Sequence, residues 1–332
     1  MSTEVFKSWL ARFDAAVAAK GRRSGTYPRA FHHDGGGHGF HLVFGSVVHG
    51  DEVGSLPAVV AVAEGLVAGT LKHAGRVTLF VGNPEAALAG QRFLESDLNR
   101  VFMDEPPDTH EGRRARDLKP ILDAADVFVD LHQTIEATRH AFYIFPFQED
   151  GWLWARALAA TSMWVTRHPG TAFTTGAMCA DEYVRAFQRP GITIELSQRG
   201  FGHGAEARAE AAIRRALALS DAIAPGGTTL RDAAFAEPEL TFLETTHREK
   251  FDRDELALKP GLDNFLEVTA GELLSAPGAP ELRAPRAGWV LFPKYPPRQA
   301  DGRYKRPLPG EIYRIVTPLP GHPRDLYRQA PD

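Results

Sequence analysis

Three apolar runs in this sequence end on residues able to do chemistry. "FGSVVHGDE", residues 44–52, closes on His49, Asp51 and Glu52. The His49-x-x-Glu52 spacing lets one imidazole and one carboxylate converge on a single ion from one loop. Alone, such a pair also suits a solvated turn. "DVFVDLHQT" places His132 at the end of a second run, two residues after Asp130. Two histidines and a glutamate make the three-ligand set of a catalytic zinc, with a fourth position left for water. Asp130 is then a candidate to orient an imidazole. The alternative for His132 is a hydrogen-bonded strand end. "GITIELSQ" carries Glu195 directly after Ile192, Thr193 and Ile194. A carboxylate there is costly if buried and unpaired, and it suits a proton carrier beside an activated water. The alternative is a strand end facing solvent.

A fourth stretch, "GNPEAALAGQRFLESDLNRVF" at 82–102, supplies Asn83, Arg92, Asp97, Asn99 and Arg100. A guanidinium offers a planar fork of donors suited to carboxylates and to a developing oxyanion. Two arginines near a zinc point to an anionic substrate. The competing reading is surface arginines paired with Glu95 and Asp97.

These residues need rigid elements behind them. Phe6, Leu10, Phe13 and Val17 recur at helical spacing, which predicts a helix over 4–19. "HHDGGGHGFH" at 32–41 reads as a flexible loop. "HLVFGSVV", "RVTLFVG", "DVFVDLH", "AFYIFPF" and "GITIEL" read as strands. Helices are predicted at 55–68, 110–124, 150–161, 180–188 and 204–223. Strands alternating with helices predict an α/β fold with a mixed, largely parallel sheet flanked by helices. After "APGGTT" at 224–229 the long helical periods stop, and short strands joined by turns follow. We expect a catalytic α/β domain over 1–234 and a smaller β-rich domain over 235–332.

Composition narrows the class. With 42 acidic and 38 basic residues the net charge is −4, and no long basic run exists, which argues against nucleic acid as a partner. The single cysteine, Cys179, cannot close an internal disulfide and suits a reducing compartment. No apolar run is long enough to span a membrane, and Glu4, Lys7, Arg12, Asp14 and Lys20 interrupt the start of the chain, so a cytoplasmic location is expected. A homo-oligomer is left open.

"HGDE", "GNPEA", "RFLESDLNRVF", "DLH" and "ITIEL", in this order, resemble the succinylglutamate desuccinylase and aspartoacylase family. These are zinc-dependent amidohydrolases related to zinc carboxypeptidases. The resemblance covers 40–200 and continues loosely through "AGELLSAP" and "GWVLFPK". It implies a zinc-carboxypeptidase-like sheet and one Zn²⁺ per chain held by His49, Glu52 and His132. It also implies Glu195 as general base and acid, and Arg92 near the scissile carbonyl. Asn99 and Arg100 would hold a substrate carboxylate. Arg185, ten residues before Glu195, stands where aspartoacylases place another carboxylate-binding arginine. Those enzymes close the site with a tyrosine from the β-domain, for which Tyr304 and Tyr295 are the candidates. Two stretches depart from the family: Ser197 replaces the usual glycine two residues after the catalytic glutamate, and "QTIEATRH" after His132 differs from the desuccinylase form. Both bear on which acyl group is recognised.

The function expected is hydrolysis of the amide of an N-acyl amino acid. N-succinylglutamate is the first candidate, and N-acetylaspartate a related one. The rivals are a zinc carboxypeptidase acting on small peptides and a non-catalytic zinc-binding protein on the same scaffold. A general base at Glu195 speaks against the last, and the absence of H-E-x-x-H against other zinc peptidases.

Overall fold

The computed structural model describes residues 3–20, 29–169, 171–300, 302–306 and 308–327. The chain opens with helix α1 (Thr3–Ala19), edge strand β1 (Ala30–Asp34) and strand β2 (His41–Ser46). Helix α2 (Leu56–Ala68), strand β3 (Arg76–Val81) and the short helix α3 (Pro84–Leu88) follow. After a 3₁₀ turn at Leu98–Arg100 come α4 (His110–Asp123), β4 (Val127–Thr134), β5 (Phe142–Ile144), α5 (Glu149–Leu158) and β6 (Met163–Thr166). Helix α6 (Ala180–Ala186), strand β7 (Gly191–Gln198), α7 (Ala205–Ile223) and α8 (Leu230–Phe235) complete the helical part. The remainder is mostly sheet: β8 (Thr241–Lys250), β9 (Glu267–Val268), β10 (Gly288–Leu291) and β11 (Glu311–Pro318), then a last turn of helix, α9 (Pro323–Tyr327).

One sheet of 11 strands runs in the order β1-β3-β2-β4-β7-β5-β6-β8-β11-β10-β9. The centre is parallel, through the β3/β2, β2/β4 and β4/β7 pairs, and antiparallel pairs enter at β1/β3, β5/β7 and beyond β8. Strands β2 and β4 are buried along their whole length, as a parallel sheet covered on both faces requires. One face packs Phe6, Phe13, Val59, Val62, Ile213 and Leu217 from α1, α2 and α7. The other packs Leu118, Ile121, Leu122 and Val184 from α4 and α6.

The predicted helices and central strands appear within a few residues of their expected ends. The Gly- and His-rich stretch does not read as expected, because β1 begins it. Gly35 and Gly37 donate to the carbonyls of Gly75 and Ala74 at 3.0 and 2.8 Å, and a Cβ on Gly35 would stand 2.2 Å from the His73 carbonyl. These glycines allow one backbone to lie against another rather than supplying looseness. The sequence carries no pattern that marks β6, and it does not mark β8 or β11 individually within the β-rich region expected from 235 onward. β8 pairs with β6 in parallel, so the β-rich C-terminal part extends the main sheet. That part also has its own core of Phe251, Leu256, Leu258, Tyr304, Ile312 and Tyr313.

Candidate active site

The chemistry gathers at the carboxyl ends of β2, β4 and β7, where an open α/β sheet leaves a crevice. Val47, immediately after β2, has φ of 56°, a left-handed conformation that a β-branched residue adopts only under strain. The bend turns the chain out of the sheet toward His49. Gly50 then donates to the Arg92 carbonyl at 2.8 Å, and a Cβ there would meet the Gln91 carbonyl at 2.4 Å. The glycine of "HGDE" therefore lets the histidine loop lie on the arginine loop. On the next pair of strands, the β4/β7 register sets His132 directly beside Glu195.

His49, Glu52 and His132 are 4%, 3% and 2% exposed. One donor atom from each lies within 4.8 Å of the others. Both histidines turn Nδ1 toward Glu52, at 2.8 Å from Oε1 for His49 and 2.8 Å from Oε2 for His132. Each distal nitrogen faces an aspartate: Asp97 Oδ1 is 3.0 Å from His49 Nε2, and Asp130 Oδ2 is 2.8 Å from His132 Nε2. The His49 Nδ1 is buried and makes no aligned hydrogen bond despite the nearby carboxylate. Ligand atoms converging on one ion have this arrangement, and the N₂O donor set suits a divalent cation. The three residues form a group able to hold a metal ion.

Electrostatics favour positive charge at that point. Burial opposes protonation of His132, but Asp130 and Glu52 prevail and hold its pKa well above the usual histidine value. His49 is raised in the same way, with burial and Arg92 outweighed by Glu52 and Asp97. Glu52 is pushed well below the usual carboxylate range, since His49, His132 and Arg92 overcome its burial. A cluster of this charge and donor set would also accommodate a divalent cation in place of the protons.

Glu195 behaves oppositely. Burial, then the charge of Glu52, raises its carboxyl to about 7. Its Oε2 is buried without a hydrogen bond, and the residue lines the cavity. A carboxylate of that affinity can accept and return a proton near neutral pH.

Arg92 donates to Glu52 Oε1 at 2.7 Å, and its Nη2 is 2.9 Å from His49 Nε2. Its loop is fixed by Glu111, a fully buried carboxylate that accepts from the backbone of Leu94, Glu95 and Ser96 at 2.6, 3.1 and 3.0 Å. Asn99 accepts from the Ala180 amide at 2.8 Å and places Nδ2 3.2 Å from His132 Nε2. Arg100 donates to the Asn99 carbonyl at 2.5 Å and has no carboxylate partner among the described residues. All three line a cavity of about 880 Å³ with the histidines, Glu52 and Glu195.

Arg185 and Tyr304 are not brought there. Arg185 stands behind the cavity wall, held by Asp181 Oδ2 at 2.6 Å and the Gly191 carbonyl at 2.5 Å. It is Asp181 that faces the cavity. The Tyr304 hydroxyl donates to the Leu256 carbonyl at 2.8 Å inside the C-terminal core, and Tyr295 donates to the Lys259 carbonyl at 2.7 Å. Both phenols are satisfied in that core, as buried tyrosines usually are. The C-terminal wall instead presents Arg248, Lys250, Lys294 and Arg314, and Arg167 enters from the loop after β6. None of these was singled out in the sequence, where a basic residue on a strand or turn carries no signal of its own. Asp97, in the sequence a candidate partner of an arginine, also caps the 3₁₀ turn by accepting from the Asn99 amide at 2.9 Å.

Residues 41–220 match the family model of the succinylglutamate desuccinylase/aspartoacylase catalytic domain. The chain belongs to this family. Curated relatives include the succinylglutamate desuccinylase of Erwinia tasmaniensis, 29% identical over 281 residues, covering 79% of this chain and 81% of that protein. Among solved structures, the succinylglutamate desuccinylase of Chromobacterium violaceum superposes with a TM-score of 0.63 at 21% identity, covering 89% of this chain and 90% of the other. A product-bound ectoine utilization protein from Ruegeria pomeroyi gives 0.61 at 21% identity, covering 86% and 88%. These structures share the fold described above. No helix among the described residues is long and apolar enough to cross a membrane.

Proposed function

We propose that this protein is a zinc-dependent amidohydrolase that cleaves an acidic N-acyl amino acid, with N-succinylglutamate as the first substrate. The observation that carries this is the juxtaposition of His49, Glu52 and His132 within 4.8 Å with Glu195 on the neighbouring strand. Zinc held by the two imidazoles and Glu52 would supply a Lewis acid and lower the pKa of a water toward ~7.

The chain's own residues do the rest. Glu195 takes a proton from the attacking water as its oxygen bonds to the amide carbon. Arg92, held by Glu52, faces the oxyanion that develops on the former carbonyl. As the C–N bond breaks, Glu195 returns the proton to the leaving nitrogen, giving a carboxylic acid and an amine, and the acid's proton passes to the amine so that a carboxylate and an ammonium leave. Arg100 and Asn99 hold a substrate carboxylate. The desuccinylase names among the relatives support succinate as the acyl group, and the cationic lining supports an acidic substrate.

The test is kcat/KM for N-succinylglutamate, N-acetylglutamate, N-acetylaspartate and a C-terminal dipeptide, measured with zinc and after chelation. The acidic acyl amino acids should be cleaved, N-succinylglutamate fastest, and chelation should stop all turnover. Preference for the dipeptide would move the protein to the carboxypeptidase class.

A further inference from the structure

The C-terminal wall holds a cation that the catalytic account does not use. Lys294 lies just past β10 in the turn Phe292-Pro293-Lys294, and its backbone is pinned on both sides. The Phe292 amide donates to Asn264 Oδ1 at 2.7 Å, and the Lys294 amide to the Ile312 carbonyl of β11 at 2.9 Å. Asn264, fully buried, donates in turn to the carbonyls of Glu136 and Ala137 at 3.2 and 3.0 Å. Those two residues belong to the loop that leaves β4 just after His132. The turn carrying Lys294 is thereby tied to the strand carrying the metal-site histidine. Phe292 takes φ of 50°, a strained value for a side-chain-bearing residue, within this fixed turn.

The Lys294 side chain is half-buried and lines the cavity. Its ammonium stands 5.2 Å from the centroid of the Phe292 ring and has no hydrogen bond or ion pair among the described residues. The nearby Glu311 is committed to Arg314 at 2.6 Å. Burial, then the charge of Arg92, brings the lysine down to about 8, while Glu311 and Glu195 act in its favour. A cation kept partly dry and without a counter-ion is costly unless something arrives to pair with it. Arg100 enters the same cavity from the 3₁₀ turn at Leu98–Arg100, where its guanidinium meets the Asn99 carbonyl and the Cys179 sulfur but no carboxylate among the described residues. Phe173 stands 5.0 Å from Arg100 and 5.1 Å from Arg314, and Phe292 stands 5.5 Å from Arg314.

We propose that Lys294 anchors a second substrate carboxylate, at the end of the molecule remote from Arg100, and so selects N-acyl amino acids that are anionic at both ends. This rests on the hydrolytic reading above. It makes Lys294 a specificity residue contributed by the β-rich part of the chain, where the tyrosines do not reach.

The test pairs Lys294→Met with substrates that lose one carboxylate each. N-succinylglutamate carries anions at both ends, N-butyrylglutamate has a neutral acyl end, and N-succinylnorvaline lacks the side-chain carboxylate. N-succinylisoglutamine, which lacks the α-carboxylate, completes the panel. On N-succinylglutamate the variant should lose roughly 10²-fold in kcat/KM, as expected when a desolvated charge pair is broken. On one of the three truncated substrates the loss should nearly vanish, and that substrate identifies the carboxylate Lys294 holds. Equal losses on all four substrates would overturn the proposal and make Lys294 a general electrostatic or structural residue. Zinc content and thermal midpoint report whether Lys294→Met is folded. Calorimetry of the same ligands in the Glu195→Gln background, with and without Lys294→Met, reads binding without turnover. If the wild type cleaves none of the panel but this binding still depends on Lys294 and on one carboxylate, the anchor stands and the hydrolytic reading fails. Binding indifferent to Lys294 sinks the anchor whatever the turnover.

Discussion

The two walls of the cavity treat charge in opposite ways. On the wall built from the ends of β2, β4 and β7, nearly every ionic group is already engaged. Glu52 receives Arg92 at 2.7 Å and the Gln133 amide at 3.0 Å, and each histidine has an aspartate behind it. On the C-terminal wall, Arg248, Lys250 and Lys294 carry no ion pair among the described residues, while Glu249 turns to His247 at 3.0 Å. Pre-paired groups resist reorganisation, which suits atoms that must hold a metal and move a proton. Unpaired cations at a cavity wall suit a ligand that brings its own anions.

The largest effect should come from breaking the engaged wall at its ligands. Replacing both His49 and His132 with Ala should remove zinc and turnover together. The fold should remain, because the buried parallel strands supply the core and the site only occupies their ends. Full zinc occupancy by elemental analysis in that double variant would contradict the ligand assignment.

A smaller effect should follow from removing a support behind a ligand. Asp130 is fully buried and faces His132 Nε2. Asp130→Asn should weaken zinc binding by roughly 10–100-fold while leaving it measurable, as read by competition with a chelator. An unchanged affinity would mean that the aspartate does not orient the imidazole.

The open wall should show itself in pH dependence. Lys294 titrates near 8, so it is charged below that pH and loses its charge as pH rises through it. For an anionic substrate, kcat/KM should therefore fall on the alkaline side near pH 8. In Lys294→Met that limb should be absent while the acid side is retained.

The same contrast explains what was legible in the sequence. Strands β2, β4 and β7 were readable because burial on both faces demands unbroken apolar runs, and a His or Glu at the end of such a run stands out. β8 was not, because only Leu243 is fully buried along it and its alternating polar residues resemble a loop. β6 is four residues long, too short to carry a pattern. His49, Glu52, His132 and Glu195 were legible as residue types out of place. Arg185 and Tyr304 were proposed from family position alone, and tertiary structure directs both side chains elsewhere. Lys294 was invisible because its placement depends on Asn264 reaching the Glu136–Ala137 carbonyls, a contact spanning more than a hundred residues.

The most direct test of the account is zinc stoichiometry and kcat on N-succinylglutamate, measured side by side for the wild type and Glu195→Gln. The amide is nearly isosteric with the carboxylate but cannot take the water's proton. The account predicts one zinc in each protein and a drop in kcat of about 10²–10⁴-fold in the variant, with KM little changed. Loss of zinc from the variant, or turnover close to that of the wild type, would contradict Glu195 as the base beside a His49–Glu52–His132 metal centre.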